Sequence, residues 1–217
     1  MYEIPLFPLK TVLFPGMPLS LHIFEERYKQ MMRQCLQEHI PFGVVLIQHG
    51  EEVGAPAQPH VVGCTARVTH VQPLEDGRMN LLAVGQDRFR ILSLKHDKPF
   101  LVGVVEILPL QVGDRAVLAA EAMRLRPLVE RYLGILAQAN QIAYSADQLP
   151  DEAEKFAFLA AALLQMPAAK KQALLHFDSD AKLLSALRAC YLEELAVLKA
   201  LLKPQANDLE TGPFSLN

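Results

Sequence analysis

The sequence predicts an α+β protein: a small closed or partly open β-barrel with one inserted helix, followed by an α-helical bundle. Three observations lead there. Alanine is rare in residues 1–110 and abundant in 111–217, 4 against 22. Val, Ile and Thr run the other way, 21 against 7. Proline and glycine crowd the first half. Branched side chains suit a pleated sheet, alanine suits a helix, and Pro and Gly punctuate short strands. The expected divisions are a barrel over 1–110, a bundle over 111–203 and an extended or mobile tail over 204–217, which lacks periodicity. A chain of 217 residues is one large domain or two small ones.

Tyr2–Leu9 and Pro18–Ile23 read as short strands around a Pro-rich loop, Lys10–Met17. The period then changes. Phe24, Tyr28, Met31, Met32, Cys35 and Leu36 fall on one helical face, which predicts a helix over Phe24–Leu36. Phe42–Gln48 is the next strand, and His49–His60 a polar loop. Val61–Gln72 alternates through Cys64, Ala66 and Val68, with Val71 out of phase, which points to a bulge. Asp76-Gly77 is a strong turn signal ahead of a returning strand, Arg78–Gly85. Arg88–Lys95 and Leu101–Leu108 complete six or seven strands. Many short strands with one helix favour a barrel over an open sheet.

In the second half a long helix over Asp114–Ala139 carries the stripe Leu118, Leu125, Val129, Tyr132 and Leu136, with Pro127 expected to kink it. Asp151 and Glu154 have capping-box spacing before the apolar run Phe156–Leu164. Pro167 suits the first turn of a short helix, Ala168–His176. Asp178 or Ser179 can cap the last helix, whose stripe is Leu184, Leu187, Tyr191, Leu195, Leu198 and Leu202 before Pro204.

Charge is balanced, with a formal net of −3. That argues against strong non-specific binding to nucleic acid or an anionic membrane. No apolar run has the length of a membrane span. The first residues lack a basic segment ahead of an apolar core, so a cytoplasmic location is expected. Cys35, Cys64 and Cys190 form no CxxC pair and read as buried reduced thiols. There is no phosphate-binding glycine loop, no HExxH and no GxSxG elbow. Ser20 and His22 share one side of a strand without an orienting carboxylate, so no triad is assigned. His60 and Cys64 lack further ligands at finger spacing. Neither a catalytic residue, a cofactor nor a metal is expected.

The distinctive motifs are not catalytic. One is Ile4-Pro5-Leu6-Phe7-Pro8-Leu9, then Val12-Leu13-Phe14-Pro15-Gly16-Met17-Pro18-Leu19, then Ile23-Phe24-Glu25 with Arg27-Tyr28. Another is Gly63-Cys64-Thr65-Ala66-Arg67-Val68, then Asp76-Gly77-Arg78, then Gly85-Gln86-Asp87-Arg88-Phe89-Arg90-Ile91. Together with Lys171-Gln172-Ala173-Leu174-Leu175 and Lys182-Leu183, they resemble the N-terminal, substrate-binding domain of the Lon ATP-dependent protease over roughly residues 2–203. His176 departs from the family pattern by replacing an acid. The resemblance implies a PUA-like β-barrel followed by a helical bundle, and a role in capturing unfolded or tagged polypeptide. The family's ATPase and Ser–Lys peptidase lie further along the chain than these residues.

Pro5, Pro8, Pro15 and Pro18 should stop strand pairing by withholding donors. Gly16, Gly63 and Gly85 suggest special backbone angles or close approaches. Phe14, Pro15 and Met17 either fold onto the core or form an exposed apolar patch for unfolded segments. Arg88 and Arg90 share a strand face; they either pair with Glu25 or Glu106, are simply solvated, or form a cationic rim for an acidic peptide or carboxylate. The leading expectation is a non-enzymatic module for unfolded polypeptide or a protein partner, such as a separate protease. RNA binding by a PUA-like barrel is the alternative, disfavoured by the charge. An enzyme with a site between barrel and bundle ranks third.

Overall fold

A computed structural model describes residues 1–52, 57–111, 113–140 and 149–201. The expected tail, 204–217, and Leu202 of the last stripe lie outside the described residues. The element order is β1 (Tyr2–Leu9), β2 (Pro18–Ile23), α1 (Glu26–Glu38), β3 (Phe42–His49), β4 (Gln58–Pro73), β5 (Met79–Lys95) and β6 (Val102–Ile107), then α2 (Arg115–Asn140), α3 (Ala153–Leu163), α4 (Ala168–Leu175) and α5 (Asp180–Leu201). No helix among the described residues is long and apolar enough to cross a membrane.

The strands form one mixed sheet in the order β2-β5-β4-β3-β1-β6, and β5 pairs with β6 as well. The pairing circuit therefore runs β5–β4–β3–β1–β6 and returns to β5. Only β1 and β3 are parallel, with Leu6 opposite Gly43. Two long strands make the return possible. The first part of β5 pairs with β2, Pro18 opposite Val84, and the last part with β6, Phe89 opposite Ile107.

Two short strands were expected where β5 runs unbroken through Gly85, Gln86 and Asp87. The ladder to β4 shifts register there, between Cys64 and Ala66. The Thr65 hydroxyl bridges the shift: it accepts from the Asp87 N–H at 3.0 Å and donates to the Asp87 carbonyl at 3.2 Å. A side chain thus replaces the missing ladder bonds and keeps the strand continuous. A second shift falls between Val68 and His70. It brings Val71 back against the same core cluster as Val68, as the broken alternation anticipated. Gly77, at positive φ, closes the β4–β5 hairpin.

Some other expectations hold and some need correction. Phe24 precedes α1 and is exposed, because the helix starts at Glu26. Tyr28 is core, stacked on Phe7 with ring centroids 4.2 Å apart. The Asp151–Glu154 capping box does not form; Glu152 holds the cap position without a side-chain cap bond. Ser179 stands at the cap position of α5, its carbonyl accepting from the Leu183 N–H at 3.0 Å. Asp178 pairs with Lys182, and the Asp180 carboxylate accepts from Ala181 N at 2.7 Å and Gly113 N at 3.2 Å. The helix α2 passes through Pro127 as one element.

The largest cluster of buried side chains lies among the helices. It contains Leu125, Val129 and Tyr132 of α2, Phe156 and Ala160 of α3, and Leu187 and Tyr191 of α5. The Tyr191 hydroxyl donates to the Ala160 carbonyl at 2.9 Å, so its polar end is satisfied inside the core. Five buried residues from the first 110 join this cluster: Val12, Phe14, Leu46, Val62 and Leu110. The two halves are also tied by Gln172, whose Nε2 donates to the Val62 carbonyl at 2.9 Å.

Candidate functional site

The Pro-rich loop ends in a tight turn. Phe14-Pro15-Gly16-Met17 has proline second, glycine at φ +77° third, and a Met17 N–H to Phe14 carbonyl bond of 3.1 Å. That is the pattern of a type II turn. The turn is pinned to β5: Gly16 N–H donates to the Gly85 carbonyl at 2.9 Å, and Gly85 N–H to the Met17 carbonyl at 3.0 Å. Gly85 lacks a side chain because the chains cross too closely for one.

Facing this turn stands α3. Arg126 of α2 holds the approach to it, donating to the Pro150 carbonyl at 2.5 Å while its guanidinium lies over the Phe156 ring, 4.8 Å from the centroid. Because α3 is apolar nearly all round, its core face does not consume all its apolar side chains. Phe156, Ala157, Ala160 and Ala161 are fully buried, leaving Phe158, Leu159, Ala162 and Leu163 toward the turn. Between turn and helix runs a groove of about 760 Å³. Pro15, Gly16, Met17 and Pro18 form one wall, Gln86 the end, and Pro150, Glu152, Glu154 and Lys155 the rim. The Lys155–Glu152 ion pair, 2.6 Å apart and exposed, partly neutralises that rim.

The predicted site residues separate. Pro15 and Met17 line the groove and are half-buried. Phe14 is fully buried, so the reading of it as exposed patch is corrected. The turn directs its ring into the helical core, where it joins strands to helices. Arg88 forms no exposed cationic rim, being only 3% exposed. Its Nη1 donates to the Leu175 and Phe177 carbonyls at 2.8 and 2.5 Å, fastening β5 to the end of α4. Free carbonyls at a helix C-terminus attract such a cation. Burial pushes the Arg88 pKa down, opposed by Glu154, Cys64 and Asp178. Arg90 pairs with Glu106 at 3.7 Å, one of its expected partners, and does not line the groove. Glu25 pairs with Arg27 instead.

The wall contributed by α3 was missed. Its signal lay in the uninterrupted hydrophobicity of Phe156–Leu164, more than one core face requires. No Cys, Ser or Thr is among the described lining residues of the groove, and Cys35 and Cys64 lie outside it. Burial pushes the Cys35 and Cys64 thiols up to about 12, far from the thiolate form at neutral pH. No group of three or more potential metal ligands is found among the described residues.

A mixed sheet with a following helical half, joined along an apolar groove, is a binding architecture in its shape and chemistry. Residues 3–208 match the family model of the ATP-dependent protease La (LON) substrate-binding domain, and the chain belongs to that family. It is 30% identical over 177 residues to a Lon protease of Paraburkholderia phytofirmans, covering 78% of this chain and 22% of that protein. It is 27% identical over 203 residues to a Lon protease 2 of Herpetosiphon aurantiacus, covering 91% and 24%. The chain therefore spans about a quarter or less of these relatives. Among solved structures it is similar to a Lon N-terminal domain protein from Xanthomonas campestris, at TM-score 0.61 and 26% identity over 91% of this chain and 98% of that one. The N-terminal domain of a Mycobacterium avium complex Lon protease shares the fold, at TM-score 0.68 and 16% identity over 88% and 99%.

Proposed function

We propose that this chain is a non-enzymatic module that holds an apolar segment of unfolded polypeptide between the Pro15–Pro18 turn and α3. One observation carries the reading: a groove of about 760 Å³ walled by Met17, Phe158, Leu159 and Leu163, on a chain whose family is a substrate-binding domain. Methionine and leucine adapt to varied apolar side chains, which suits a site that must accept many sequences. The return pairing of β5 with β6 supports reading the strands as a PUA-like barrel, with residues 111–203 as a bundle packed against it. Delivery of the bound segment to a separate protease in the cytoplasm fits the same reading.

The test is a titration of fluorescein-labelled unfolded casein and of single-stranded RNA at two salt concentrations. We expect casein to bind at micromolar affinity or weaker, about −8 kcal/mol or less favourable. Apolar contact is little affected by salt, whereas binding to phosphates weakens steeply as salt rises. Tight, salt-sensitive RNA binding without casein binding would overturn the proposal.

A further inference from the structure

We propose that the groove leads into a carboxylate pocket centred on Arg88, and that this pocket takes the C-terminal carboxylate of the bound polypeptide. The inference rests on the groove reading and goes further by naming which part of a substrate is recognised.

Arg88 is a buried cation with one end committed and the other not. Its Nη1 is occupied by the Leu175 and Phe177 carbonyls, but Nη2 has no hydrogen-bond partner among the described residues. A buried donor on a permanent charge is costly to leave unpaired, and arginine cannot shed its proton to escape that cost. Such an atom is the expected partner of a carboxylate oxygen, and the bond would be charge-assisted.

The surroundings supply a place for that carboxylate. Arg88 lines a small cavity of about 110 Å³. Pro15, Gln86, Glu154 and Phe158 border both this cavity and the groove, so the two are contiguous. The cavity has the volume of roughly four water molecules, at about 30 Å³ each. That is room for a terminal carboxylate. A polypeptide with its apolar residues in the groove would place its terminal carboxylate here. The Phe158 ring, 5.8 Å from the guanidinium carbon, sits where the two spaces meet.

Nη2 is sealed from solvent, so entry requires a side chain to move. Glu154 is the acidic group at that entry. It is exposed, stands on the first turn of α3 and borders both spaces. Its carboxylate carries the ligand's charge and makes it a competitor for Arg88. Replacing it by glutamine should therefore favour the incoming carboxylate.

The experiment uses the full chain and a short fluorescein-labelled peptide ending Leu-Phe-Leu. The peptide is prepared as free acid, as C-terminal amide, and as amide with one internal aspartate. We expect the acid to bind wild type about tenfold or more tightly than the plain amide, the range of one buried charge-assisted hydrogen bond. Glu154→Gln should raise the acid-to-amide affinity ratio. Arg88→Met should bring the acid down to the amide, with a urea midpoint recorded to check folding. If Arg88→Met does not fold, the acid-to-amide ratio on wild type decides alone. Equal binding of acid and amide to wild type would overturn the carboxylate pocket while leaving the groove reading intact. An internal-aspartate amide that binds as tightly as the acid would overturn the assignment to a chain end. No binding of any peptide would overturn the groove reading itself.

Discussion

The carbonyl oxygen of Phe14 lies 2.3 Å from the point where a Cβ on Gly85 would stand. That single crossing sets the site. It lets the Pro15–Gly16 turn lie against β5, sends the Phe14 ring into the helical core and leaves Met17 facing α3.

Gly85→Ala should consequently destabilise the chain, because the obstacle is backbone and cannot rotate away. A cost of about 1–3 kcal/mol is expected, as for overpacking elsewhere. For a chain of this size each kcal/mol lowers the melting temperature by about 2–4 °C. Gly16→Ala is the control: nothing lies within 4 Å, so only its positive φ is strained, at about 1–2 kcal/mol. Thermal melts that find Gly85→Ala as stable as wild type would refute the crossing.

Phe14 and Met17 should behave oppositely. Phe14→Ala opens a cavity in the core and should cost about 3–5 kcal/mol. Met17→Ala removes a half-exposed side chain and should stay within about 1 kcal/mol of wild type. Yet Met17→Ala should weaken binding of labelled casein. Urea midpoints and binding isotherms measured on the same preparations separate the two roles.

Within α5, Leu187 is fully buried whereas Leu192 is 48% exposed. Leu187→Asp would bury an unpaired charge and should abolish cooperative unfolding. Leu192→Asp should change stability by no more than about 0.5 kcal/mol. Circular dichroism melts of both variants check that α5 packs as described.

A pH effect should centre on His60, whose ring meets that of His176 across the junction at 6.5 Å. Burial lowers its pKa below the ordinary value of 6.5, helped by His176 and His49. The unfolded chain then binds the proton more readily than the folded one. Stability from this residue is complete above pH 6.5 and declines as the pH falls from there toward the lower folded value. His60→Gln should flatten the urea midpoint over that window; an unchanged slope would show that His60 is not the group responsible.

Periodicity made most elements legible. β1 and β2 match their expected bounds, and the buried face of α1 follows from Tyr28, Met31, Met32 and Cys35. These signals are local: a side chain's face is set by its spacing from near neighbours. The unbroken β5 was not legible, because its continuity through Asp87 depends on a hydroxyl 22 residues earlier in the chain. The fate of Arg88 was hidden for the same reason. Strand alternation puts it on a face with Arg90 but does not say that α4 covers one and solvent reaches the other.

The residues alone determined the order of elements, the strand-to-helix division of composition, the Pro-rich loop Lys10–Met17 with its special glycine, and the family resemblance. These depend on backbone preference and on spacing along the chain. Tertiary structure alone decided that Phe14 is core, that Arg88 is buried with one nitrogen uncommitted, and that α3 forms the opposite wall of the groove. Burial is a property of what comes to lie on a surface. For Arg88 the covering carbonyls arrive 87 and 89 residues later in the chain, a separation across which no local periodicity carries information.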